Sequence, residues 1–590
     1  NRFTGEGRLV NTRINSIASR RDGTVLIAAW NGVWRWADGD IDAVLTAQNE
    51  DVGASHLIQQ DHAGNHWVSG EQSVYRYEAG VLIRVADYES QSRTQLYNSL
   101  IQPDTTGKQE TVWISTVRGV LRDGRSVLST GAPITQMLQD HEGNLWVTTN
   151  GAGIYQLRRS QITVYGAEEG IGSGNIYPIL QRHDGSIWLG SLGGGLTRIT
   201  PEDTTTSIPQ QGSATLADIW ALHETPDSTL WVGGSELCRW AAGQCMPYET
   251  GSPPSFGRVL AIHEDASESL WVGSTRGLYR RTRSSEEEPP SWTRYTSQNS
   301  NLPHRIVRTI RETDEGVLWV GTNGGGLATL EDSTFYPFSK EDGLPSNLVR
   351  DIYHDPEGVT WVATEDRGLV RIERPSQASG GQAWRKAEVA ALTTEHGLIA
   401  NGVHRIIEDE AGRMWMSTNQ GIFWTYRSEL NAVAQGQQER VTTVGYTERD
   451  GMRNREANGG MQPAGMRDTQ GRIWFPTQAG AAVIDASEVQ PSRVSPPVYI
   501  ERVVTSDSTY RPVNGRVELA SDGHNFDVVY TAVNFSDPEG MRFRYQLQGI
   551  DEEQKPGRRQ RRATYTSISP GSHTFTVQAS NGDGVWNEES

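Results

Sequence analysis

The chain has 590 residues, of which 35% are hydrophobic and 63 are glycine, and its formal net charge is −18 at pH 7. That length exceeds a single hydrophobic core and predicts at least two domains, while the acidic balance disfavours a nucleic-acid binder, which needs a basic face for phosphates. No apolar run approaches the ~18 residues of a membrane span, and no basic and apolar leader opens the chain, so we expect that any signal peptide has been removed.

One short pattern, Asp-x-x-Gly-x-x-Trp, recurs along most of the chain. Intact copies begin at Asp61, Asp140, Asp355, Asp409 and Asp468, and looser copies centre on Leu26, Trp113, Trp188, Trp231, Trp271 and Trp319. The eleven copies lie 33 to 59 residues apart. Such a period is typical of repeat architectures in which each unit is one small sheet.

Each unit predicts four short strands. An apolar run leads to the Asp, which caps a tight turn where glycine supplies the positive φ. The Trp strand follows, with its large ring against the neighbouring sheet, and a glycine-containing turn leads to two more strands. Four antiparallel strands per unit describe a β-propeller blade, and the signatures of WD-type blades are missing. The predicted fold is therefore all-β, with tandem propellers of four-stranded blades.

The division into rings and the two cysteines are the next features. Eleven blades in one ring would leave a very wide channel, so we predict two smaller or unequal rings, joined at GSPPS (251–255). This gives a first propeller over 1–250 and a second over 251–490. Cys238 and Cys245 flank an Ala-Ala-Gly turn and could form a disulfide across a hairpin; two free thiols remain the alternative.

Residues 343–372, GLPSNLVRDIYHDPEGVTWVATEDRGLVRI, resemble the repeat of the two-component regulator propeller family. The C-terminal stretches NFDVVYTAVNFSDPEGMRFRYQLQGID and ATYTSISPGSHTFTVQASNGDGVWNEE resemble the Y_Y_Y domain, the β-sandwich that follows such propellers, and 458–485 is similar to the family's usual last blade. The resemblance covers essentially the whole chain. It implies a fibronectin/Ig-like, membrane-proximal sandwich over 497–590, with the last strand missing. Better-known members carry fourteen repeats in two seven-bladed rings, whereas eleven are found here.

This resemblance implies a function. In the family the region is the periplasmic, extracytoplasmic sensor of a single-pass inner-membrane receptor, whose output is a histidine kinase, at times a hybrid with a response regulator, or a diguanylate cyclase. The chain is therefore expected to sense a small molecule or oligosaccharide without being an enzyme itself. It is also expected to dimerise with a second copy through the sandwich and to meet the membrane only through a transmembrane helix absent from this sequence.

Candidate ligand-binding residues lie in the segments that lead into the blades of the second half. If the Asp turns lie on the far face, these segments border the mouth of the channel, and Arg, Asn and His suit the hydroxyl, carboxylate or sulfate groups of a carbohydrate or other anionic ligand. The candidates are His304, Arg305, Arg308, Asn347, Arg350, Asn401, His404, Arg405, Arg453, Asn454 and Asn458. The first half offers fewer, namely Arg13, Asn15, Asn175 and Tyr177. For each residue the alternative is an ordinary solvated turn.

The sequence gives less support to phosphate binding, metal binding or catalysis. The glycine runs 193–195 and 324–326 lack the Lys-Ser/Thr of a phosphate-binding loop, and the histidines lack zinc-ligand spacing, so no catalytic residue, cofactor or metal is predicted. Two alternatives to a sensor stay open. One is a glycan-active propeller enzyme, sialidase- or lyase-like, because the Asp turn resembles the sialidase Asp box. The other is an exported protein-interaction scaffold that uses exposed aromatic residues such as Trp30. The basic run 555–562 could lie against anionic headgroups.

Overall fold

The computed structural model describes residues 12–20, 22–50, 52–55, 57–60, 64–70, 73–87, 98–103, 110–115, 119–122, 125–208, 217–241, 243–246, 254–282, 291–331, 333–374, 387–489, 494–520, 524–557 and 561–587. The chain divides into two compact units, Asn1–Arg159 and Ser160–Ser590, and we describe each unit by itself. Across the described ranges, no helix is both long enough and apolar enough to span a bilayer.

The first unit contains four antiparallel sheets within its described residues, which we call blades A to D. Blade A comprises Ile14–Ser19, Val25–Ala29, Gly32–Ala37 and Asp40–Val44, and blade B comprises Leu57–Gln60, His66–Ser69, Ser73–Glu78 and Val81–Asp87. Blade C comprises Asn98–Pro103, Glu110–Ser115, Gly119–Arg122 and Arg125–Ser129, and blade D comprises Ile134–Gln139, Leu145–Thr149 and Ile154–Leu157. Leu26, Val33, Val68 and Tyr75 pack between blades A and B.

Apolar side chains are exposed on blades A and D. Ile17 of blade A is 61% exposed and Ile154 of blade D is 67% exposed. Trp30, at the turn between the second and third strands of blade A, is 55% exposed. An exposed indole at a turn is compatible with contact to another protein, because large aromatic side chains dominate protein interfaces.

The second unit contains a ring of seven sheets among its described residues, which we call blades 1 to 7. Blade 1 comprises Ile176–Gln181, Ile187–Ser191, Gly195–Ile199 and Thr205–Ile208. Blade 2 comprises Ala221–Glu224, Leu230–Gly233, Leu237–Ala241 and Gln244–Met246. Blade 3 comprises Val259–Glu264, Leu270–Ser274, Leu278–Arg281 and Trp292–Tyr295. Blades 4 and 5 comprise Val307–Glu312, Leu318–Thr322, Leu327–Glu331 and Thr334–Phe338, then Val349–His354, Thr360–Thr364, Leu369–Glu373 and Glu388–Leu392. Blades 6 and 7 comprise Arg405–Glu408, Arg413–Thr418, Gly421–Tyr426 and Val444–Tyr446, then Met466–Arg467, Arg472–Thr477, Gly480–Asp485 and Ile162–Tyr165.

The strand Ile162–Tyr165 closes this ring. It precedes blade 1 in the chain but pairs with Gly480–Asp485 of blade 7. Ile162 and Val164 pack in the apolar cluster between blades 6 and 7, and the ring of Tyr165 stacks on Trp474 with centroids 5.3 Å apart. Each of the seven gaps between neighbouring blades is filled by such a cluster. The second unit is therefore a complete seven-bladed propeller.

The division between the propellers differs from the predicted one. The predicted joint was 251–255, but the second unit begins at Ser160, and residues 160–250 supply the closing strand and blades 1 and 2 of the ring. Ser255 and Pro254 lie in the connection to blade 3, and 251–253 lie outside the described residues. The eleven repeats divide as four and seven. The repeat pattern does not reveal the boundary at Ser160, because the closing strand carries neither the Asp nor the Trp of the repeat.

The Asp-x-x-Gly-x-x-Trp turn has the predicted cap and one further hydrogen bond. In blade 5, Asp355 Oδ1 accepts the N–H groups of Glu357 and Val359 at 3.0 and 2.9 Å, and Gly358 has a φ of 84°. Asp355 Oδ2 also accepts the indole N–H of Trp361 at 2.9 Å. Equivalent Asp–Trp bonds of 2.6 to 2.9 Å occur at Trp146, Trp271, Trp415 and Trp474. The aspartate thus ties the turn to the large ring that fills the gap between blades.

The last hairpin of blade 2 carries the two cysteines. Ala241 lies opposite Gln244 in this hairpin, and Trp240 lies opposite Cys245. The structure joins Cys238 to Cys245 by a disulfide with Cα atoms 5.6 Å apart. Both residues lie against the apolar cluster between blades 1 and 2.

Helical segments occupy connections of the ring. The α-helix Arg427–Ala434 lies between the third and fourth strands of blade 6, and its Leu430 and Val433 pack into the cluster shared with blade 5. The short 3-10 helices Ala167–Glu169, Lys340–Asp342, Thr394–His396 and Glu448–Asp450 precede the segments that lead into blades 1, 5, 6 and 7.

The C-terminal region is a β-sandwich, as predicted. One sheet comprises Thr509–Tyr510, Val498–Val504, Phe526–Ala532 and Arg562–Tyr565, and the other comprises Lys555–Gly557, Arg542–Leu547 and Phe575–Ser580. Tyr530 and Ala563 of the first sheet share one core with Phe543 and Val577 of the second. In the basic run 555–562, residues 558–560 lie outside the described residues. At its ends, Lys555 pairs with Asp551 at 2.5 Å and Arg562 pairs with Asp527 at 3.4 Å.

Candidate functional site

The innermost strands of several blades carry one extra residue near their start. In blade 4, Val307 lies opposite Thr322 and Thr309 lies opposite Gly321, so Arg308 has no partner in the ladder. Leu260 and Arg350 stand at the same place in blades 3 and 5, and blade 1 has a similar shift at Tyr177 and Pro178. A bulge of this kind re-aims a side chain. Here it directs one side chain per blade to the mouth of the channel.

Equivalent positions from all seven blades form what we call the mouth ring. In blades 6 and 7 the equivalence follows from the backbone, because the N–H of His404 donates to Ser417 O and that of Asn458 donates to Pro476 O. The members of the mouth ring are Tyr177, Trp220, Leu260, Arg308, Arg350, His404 and Asn458. The backbone repeats around the ring while the chemistry does not: blades 1 to 3 supply aromatic or apolar groups and blades 4 to 7 supply cationic or polar ones.

Residues 459–465, which we call the channel plug, cross the channel beneath the mouth ring. Gln462 makes the central contacts. Its backbone N–H donates to Leu260 O at 2.9 Å, and its carbonyl accepts the N–H of Leu222 at 3.3 Å. Its side-chain amide accepts the N–H of Ile310 and donates to Ile310 O, both at 2.9 Å. The buried amide thus replaces a strand partner at the channel edge of blade 4.

Further hydrogen bonds join the plug to blades 1 and 6. The N–H of Ile179 donates to Pro463 O at 3.0 Å, and Arg405 Nε donates to Gly465 O at 3.1 Å. The plug is therefore hydrogen-bonded to the inner strands of five of the seven blades. Because the plug crosses the channel at this level, it closes the channel below the mouth ring, and we call the space bordered by the mouth ring the cup.

Two guanidinium groups converge on Gly460 of the plug. Arg308 Nη1 donates to Gly460 O at 3.0 Å, and Arg308 Nε donates to Asn323 Oδ1 at 3.0 Å. Arg350 pairs with Glu365 at 2.6 Å, and its buried Nε has no hydrogen-bond partner in the described part of the chain. A Cβ at position 460 would collide with both guanidiniums. Burial, together with the charge of Arg350, lowers the pKa of Arg308 to about 10.

The polar arc continues through His404 and Asn458. His404 Nε2 lies 2.7 Å from Asn419 Oδ1, so this nitrogen donates, and the buried Nδ1 is an acceptor left without a partner among the described residues. Burial lowers the pKa of His404 and keeps the ring neutral at pH 7. Asn458 Nδ2 donates to Asn175 Oδ1 at 2.9 Å and to Ile176 O at 2.6 Å, which ties blade 7 to blade 1.

The opposite arc is aromatic. The rings of Tyr177 and Trp220 lie 5.1 Å apart, and the guanidinium of Arg258 lies 5.3 Å from the Trp220 ring centroid. Burial and the nearby carboxylate of Glu456 raise the pKa of Tyr177, so its hydroxyl stays protonated. The cup therefore offers an aromatic wall with one hydroxyl, facing a wall of guanidinium, imidazole and amide groups.

The structure gathers four of the eleven sequence candidates into the mouth ring: Arg308, Arg350, His404 and Asn458. His304 and Arg305 lie on the segment that leads into blade 4, where Arg305 is exposed and the His304 ring lies beside Gly324. Of the first-half residues, Asn175 and Tyr177 join the site, whereas Asn15 lies in the first unit and donates to Ser55 O at 2.8 Å, and Arg13 lies in the same unit.

The other asparagine candidates cap turns, as their alternative reading proposed. Asn347 Oδ1 accepts the N–H of Lys340 at 2.8 Å, and Asn401 Oδ1 accepts that of Thr394 at 2.9 Å. In the same way Asn454 Oδ1 accepts the N–H of Glu456 at 2.8 Å. These bonds hold the turns that surround the cup.

Two arginine candidates are engaged in ion pairs away from the ring. Arg453 pairs with Glu168 at 2.8 Å and with Glu169 at 2.6 Å. Arg405 points into the channel beside the plug and pairs with the buried Asp351 at 2.8 Å. Arg405 follows the mouth-ring position by one residue, and in an inner strand this reverses the direction of the side chain.

Trp220, Leu260 and the plug were missed in the sequence. A usable signal was present, because each mouth-ring residue of blades 2 to 6 directly follows an aliphatic residue at the start of the inner strand or just before it. Aligning the repeats on their tryptophans would have placed these positions in one column.

A histidine group lies near the other ends of the inner strands. The rings of His223 and His263 lie 6.1 Å apart, and His263 Nε2 lies 3.4 Å from Glu312. Burial lowers the pKa of His223 to about 3 and that of His354 to about 4, and the charge of Arg311 adds to both shifts. Within the described residues, no three His, Cys, Asp or Glu side chains are arranged to hold a metal ion.

These histidines predict a loss of stability in acid. The unfolded chain binds a proton at each histidine below a pKa of about 6.5, whereas the folded chain keeps His223 and His354 neutral until pH 3 to 4. The free energy of unfolding should therefore fall as pH drops below 6.5, by roughly 2 kcal/mol per histidine at pH 5. Urea unfolding at pH 7.5 and 5.0 measures this, and His223→Gln should flatten the dependence. An equal dependence in His223→Gln and in the exposed control His183→Gln would contradict it.

Two families match the chain. The family described as two component regulator propeller matches residues 128–151, 301–324, 343–366 and 397–420, which lie in blade D of the first unit and at the starts of blades 4, 5 and 6. The Y_Y_Y domain family matches 534–590, within the sandwich. The chain carries two-component regulator propeller repeats and a Y_Y_Y domain. The resemblance seen in the sequence is confirmed.

One solved structure supports the all-β propeller fold. The extracellular domain of the hybrid two component system BT3049 from B. thetaiotaomicron is similar with a TM-score of 0.72 and 19% identity, over 97% of this chain and 76% of that chain. The extracellular domain of BT4673 from the same organism gives a TM-score of 0.45 and 17% identity, over 98% and 80%. Histidine kinase P4 of Formosa agariphila is 23% identical over 230 residues, which are 36% of this chain and 16% of that protein. This chain thus matches less than a fifth of that relative.

Proposed function

We propose that this chain is the extracytoplasmic sensing region of a single-pass membrane receptor of the two-component type, and that a small molecule or oligosaccharide binds in the cup. The mouth ring carries this proposal, because seven equivalent backbone positions present different polar, aromatic and aliphatic groups above the plug. A rigid closed scaffold with variation confined to one rim suits ligand recognition. The similarity in fold to the extracellular domain of BT3049 and the match to histidine kinase P4 support the receptor context.

The route from the cup to the sandwich begins at the plug. The plug continues from the segment after Glu448–Asp450, and Arg449 in that turn pairs with Glu539 of the sandwich at 3.2 Å. Asn581 Nδ2 of the sandwich donates to Val494 O, in the connection that leaves blade 7. A ligand that binds two arrangements of a sandwich-mediated homodimer with different affinity would shift their populations. The output, a histidine kinase or diguanylate cyclase, belongs to other parts of the receptor.

A thermal-shift screen of the purified chain against oligosaccharides and small metabolites tests the proposal. A bound compound should add about 2.7 kcal/mol to the free energy of unfolding at 100 times its Kd. Tyr177→Ala should abolish the shift, whereas the control Tyr499→Ala, an exposed tyrosine of the sandwich, should keep it. Mass spectrometry of the compound after incubation should show no product.

Other outcomes of this screen would overturn the proposal. Conversion of the compound to a product would favour the enzyme alternative. A shift that survives Tyr177→Ala would place the ligand outside the cup. A flat screen combined with capture of a defined protein partner that is lost in Trp30→Ala would favour the scaffold.

A further inference from the structure

We infer that the mouth ring is built for a sugar that carries a single carboxylate or sulfate group, with the anion against Arg308 and Arg350 and the sugar ring toward Tyr177. This inference rests on the proposed function and specifies its ligand. It follows from how the charges around the cup are paired.

Arg308 is a largely buried guanidinium without a carboxylate partner. Its hydrogen bonds go to two neutral oxygens, Gly460 O and Asn323 Oδ1, and no ion pair to it is found among the described residues. The largest charge effect on it comes from another cation, Arg350; the carboxylate of Glu365 acts in the opposite sense but is already paired with Arg350. A buried charge without a partner is costly. An incoming anion would supply the missing partner.

The charge on Arg308 is not needed to hold the plug. Gln462 fastens the same segment through a neutral amide that bonds both backbone groups of Ile310. A neutral donor at position 308 could reach Gly460 O at a smaller desolvation cost. A guanidinium there is explained better by recognition of an anion, for which arginine offers a planar, bidentate fork.

The arrangement favours one anionic group rather than several. Arg350 is already paired with Glu365, although its Nε–H remains without a partner. The carboxylates of Glu365 and Glu456 lie close enough to act on Arg308 and Tyr177, respectively, and would repel a second anionic group. Arg308 is therefore the one mouth-ring guanidinium without a direct ion pair within the described residues, and it matches one negative charge.

The aromatic arc defines the remainder of the ligand. Tyr177 is half-buried and belongs to blade 1, whereas the two arginines belong to blades 4 and 5. The charges of both arginines act on the pKa of its hydroxyl. Its ring and hydroxyl, beside Trp220, offer an apolar face and a hydrogen-bonding group. A sugar ring has this combination of apolar C–H surface and hydroxyls, whereas a bare inorganic anion would leave the aromatic arc unused.

Ligand-dependent unfolding of the full chain tests this inference with glucuronate and galactose 6-sulfate as probes and with glucose and galactose as neutral counterparts. Wild-type protein should be stabilised by at least one charged sugar at tens of millimolar, above the effect of sodium chloride at equal ionic strength. Arg308→Gln should weaken the apparent affinity about tenfold or more. Arg305→Gln, which removes an exposed arginine from the same blade, should leave it unchanged. The two probes distinguish a carboxylate from a sulfate.

Three results would overturn the inference. Equal stabilisation of wild type and Arg308→Gln would show that the anion binds elsewhere. Equal stabilisation by charged and neutral sugars, lost in Tyr177→Ala, would show that the ligand needs no anionic group. The proposed function would still hold in that case. No stabilisation by either charged sugar would exclude this ligand class for the cup. If Arg308→Gln does not fold, Arg350→Gln measured against Arg305→Gln gives the same comparison.

Discussion

A fragment that begins at residue 160 should fold into the closed seven-bladed ring, whereas one that begins at residue 167 should be strongly destabilised. The two fragments differ by the closing strand Ile162–Tyr165, which pairs with Gly480–Asp485. Without it, blade 7 loses its fourth strand and exposes an unpaired edge. The clusters on both sides of that blade also lose apolar side chains.

The size of this effect follows from what the strand buries. Ile162, Val164 and Tyr165 are all buried, and each such side chain contributes roughly 1.5 to 3 kcal/mol. Their removal should cost about 5 kcal/mol or more, which is comparable with the total stability of many domains, about 5 to 15 kcal/mol. Urea unfolding followed by tryptophan fluorescence should show a cooperative transition for 160–590 and a much earlier, broader one for 167–590.

A third fragment separates the observed boundary from the one the repeats indicated. A chain over 251–590 lacks the closing strand and blades 1 and 2, so it should not unfold cooperatively except for its sandwich. Equal midpoints for 160–590 and 167–590 would show that the closing strand does not hold the ring.

The blades themselves could be read from the sequence because every part of the repeat has a local cause. Asp caps its turn, glycine supplies the positive φ, and tryptophan fills the gap between blades. Each unit therefore contains the whole pattern by itself, and a single unit is enough to recognise it. Ring closure has no local cause. The segment QITVY has the pattern of an ordinary strand, and its partner lies far along the sequence, in the last blade of the ring. Only the three-dimensional path of the chain decides between a boundary at 160 and one at 251.

The sequence indicated which segments border the site, but it did not indicate which residues in those segments point into it. Asn347, Asn401 and Asn458 all lie in segments that lead into blades, and the sequence treats them alike. Two of them cap 3-10 helices and one reaches across to blade 1. Likewise, Arg405 and His404 are neighbours in the chain, yet the alternation of the strand sends one toward the plug and the other toward the mouth. The type of a polar residue does not indicate which way its side chain points.

The replacement Asp409→Ala should be among the most damaging single changes in the ring. Asp409 is 7% exposed, and its Oδ1 accepts the N–H groups of Ala411 and Arg413 at 2.9 and 3.0 Å. Its Oδ2 accepts the indole N–H of Trp415 at 2.8 Å and pairs with the Arg413 guanidinium at 2.6 Å. Arg413 is itself 7% exposed and also donates to Val489 O. One carboxylate thus holds a turn, a core tryptophan and a buried arginine.

Alanine at this position would leave a buried guanidinium without its counter-charge, which typically costs about 3 to 5 kcal/mol. Asp409→Asn should cost less, since its amide oxygen can still accept backbone N–H groups. The matched control is Asp184→Ala in blade 1, where an exposed aspartate caps a turn through Ser186 but does not bond Trp188, whose indole N–H donates to the serine hydroxyl instead. That change should cost only about 1 kcal/mol. Denaturant midpoints of the three variants measure the order, and if Asp409→Ala is no worse than Asp184→Ala, the buried pair contributes little to the ring.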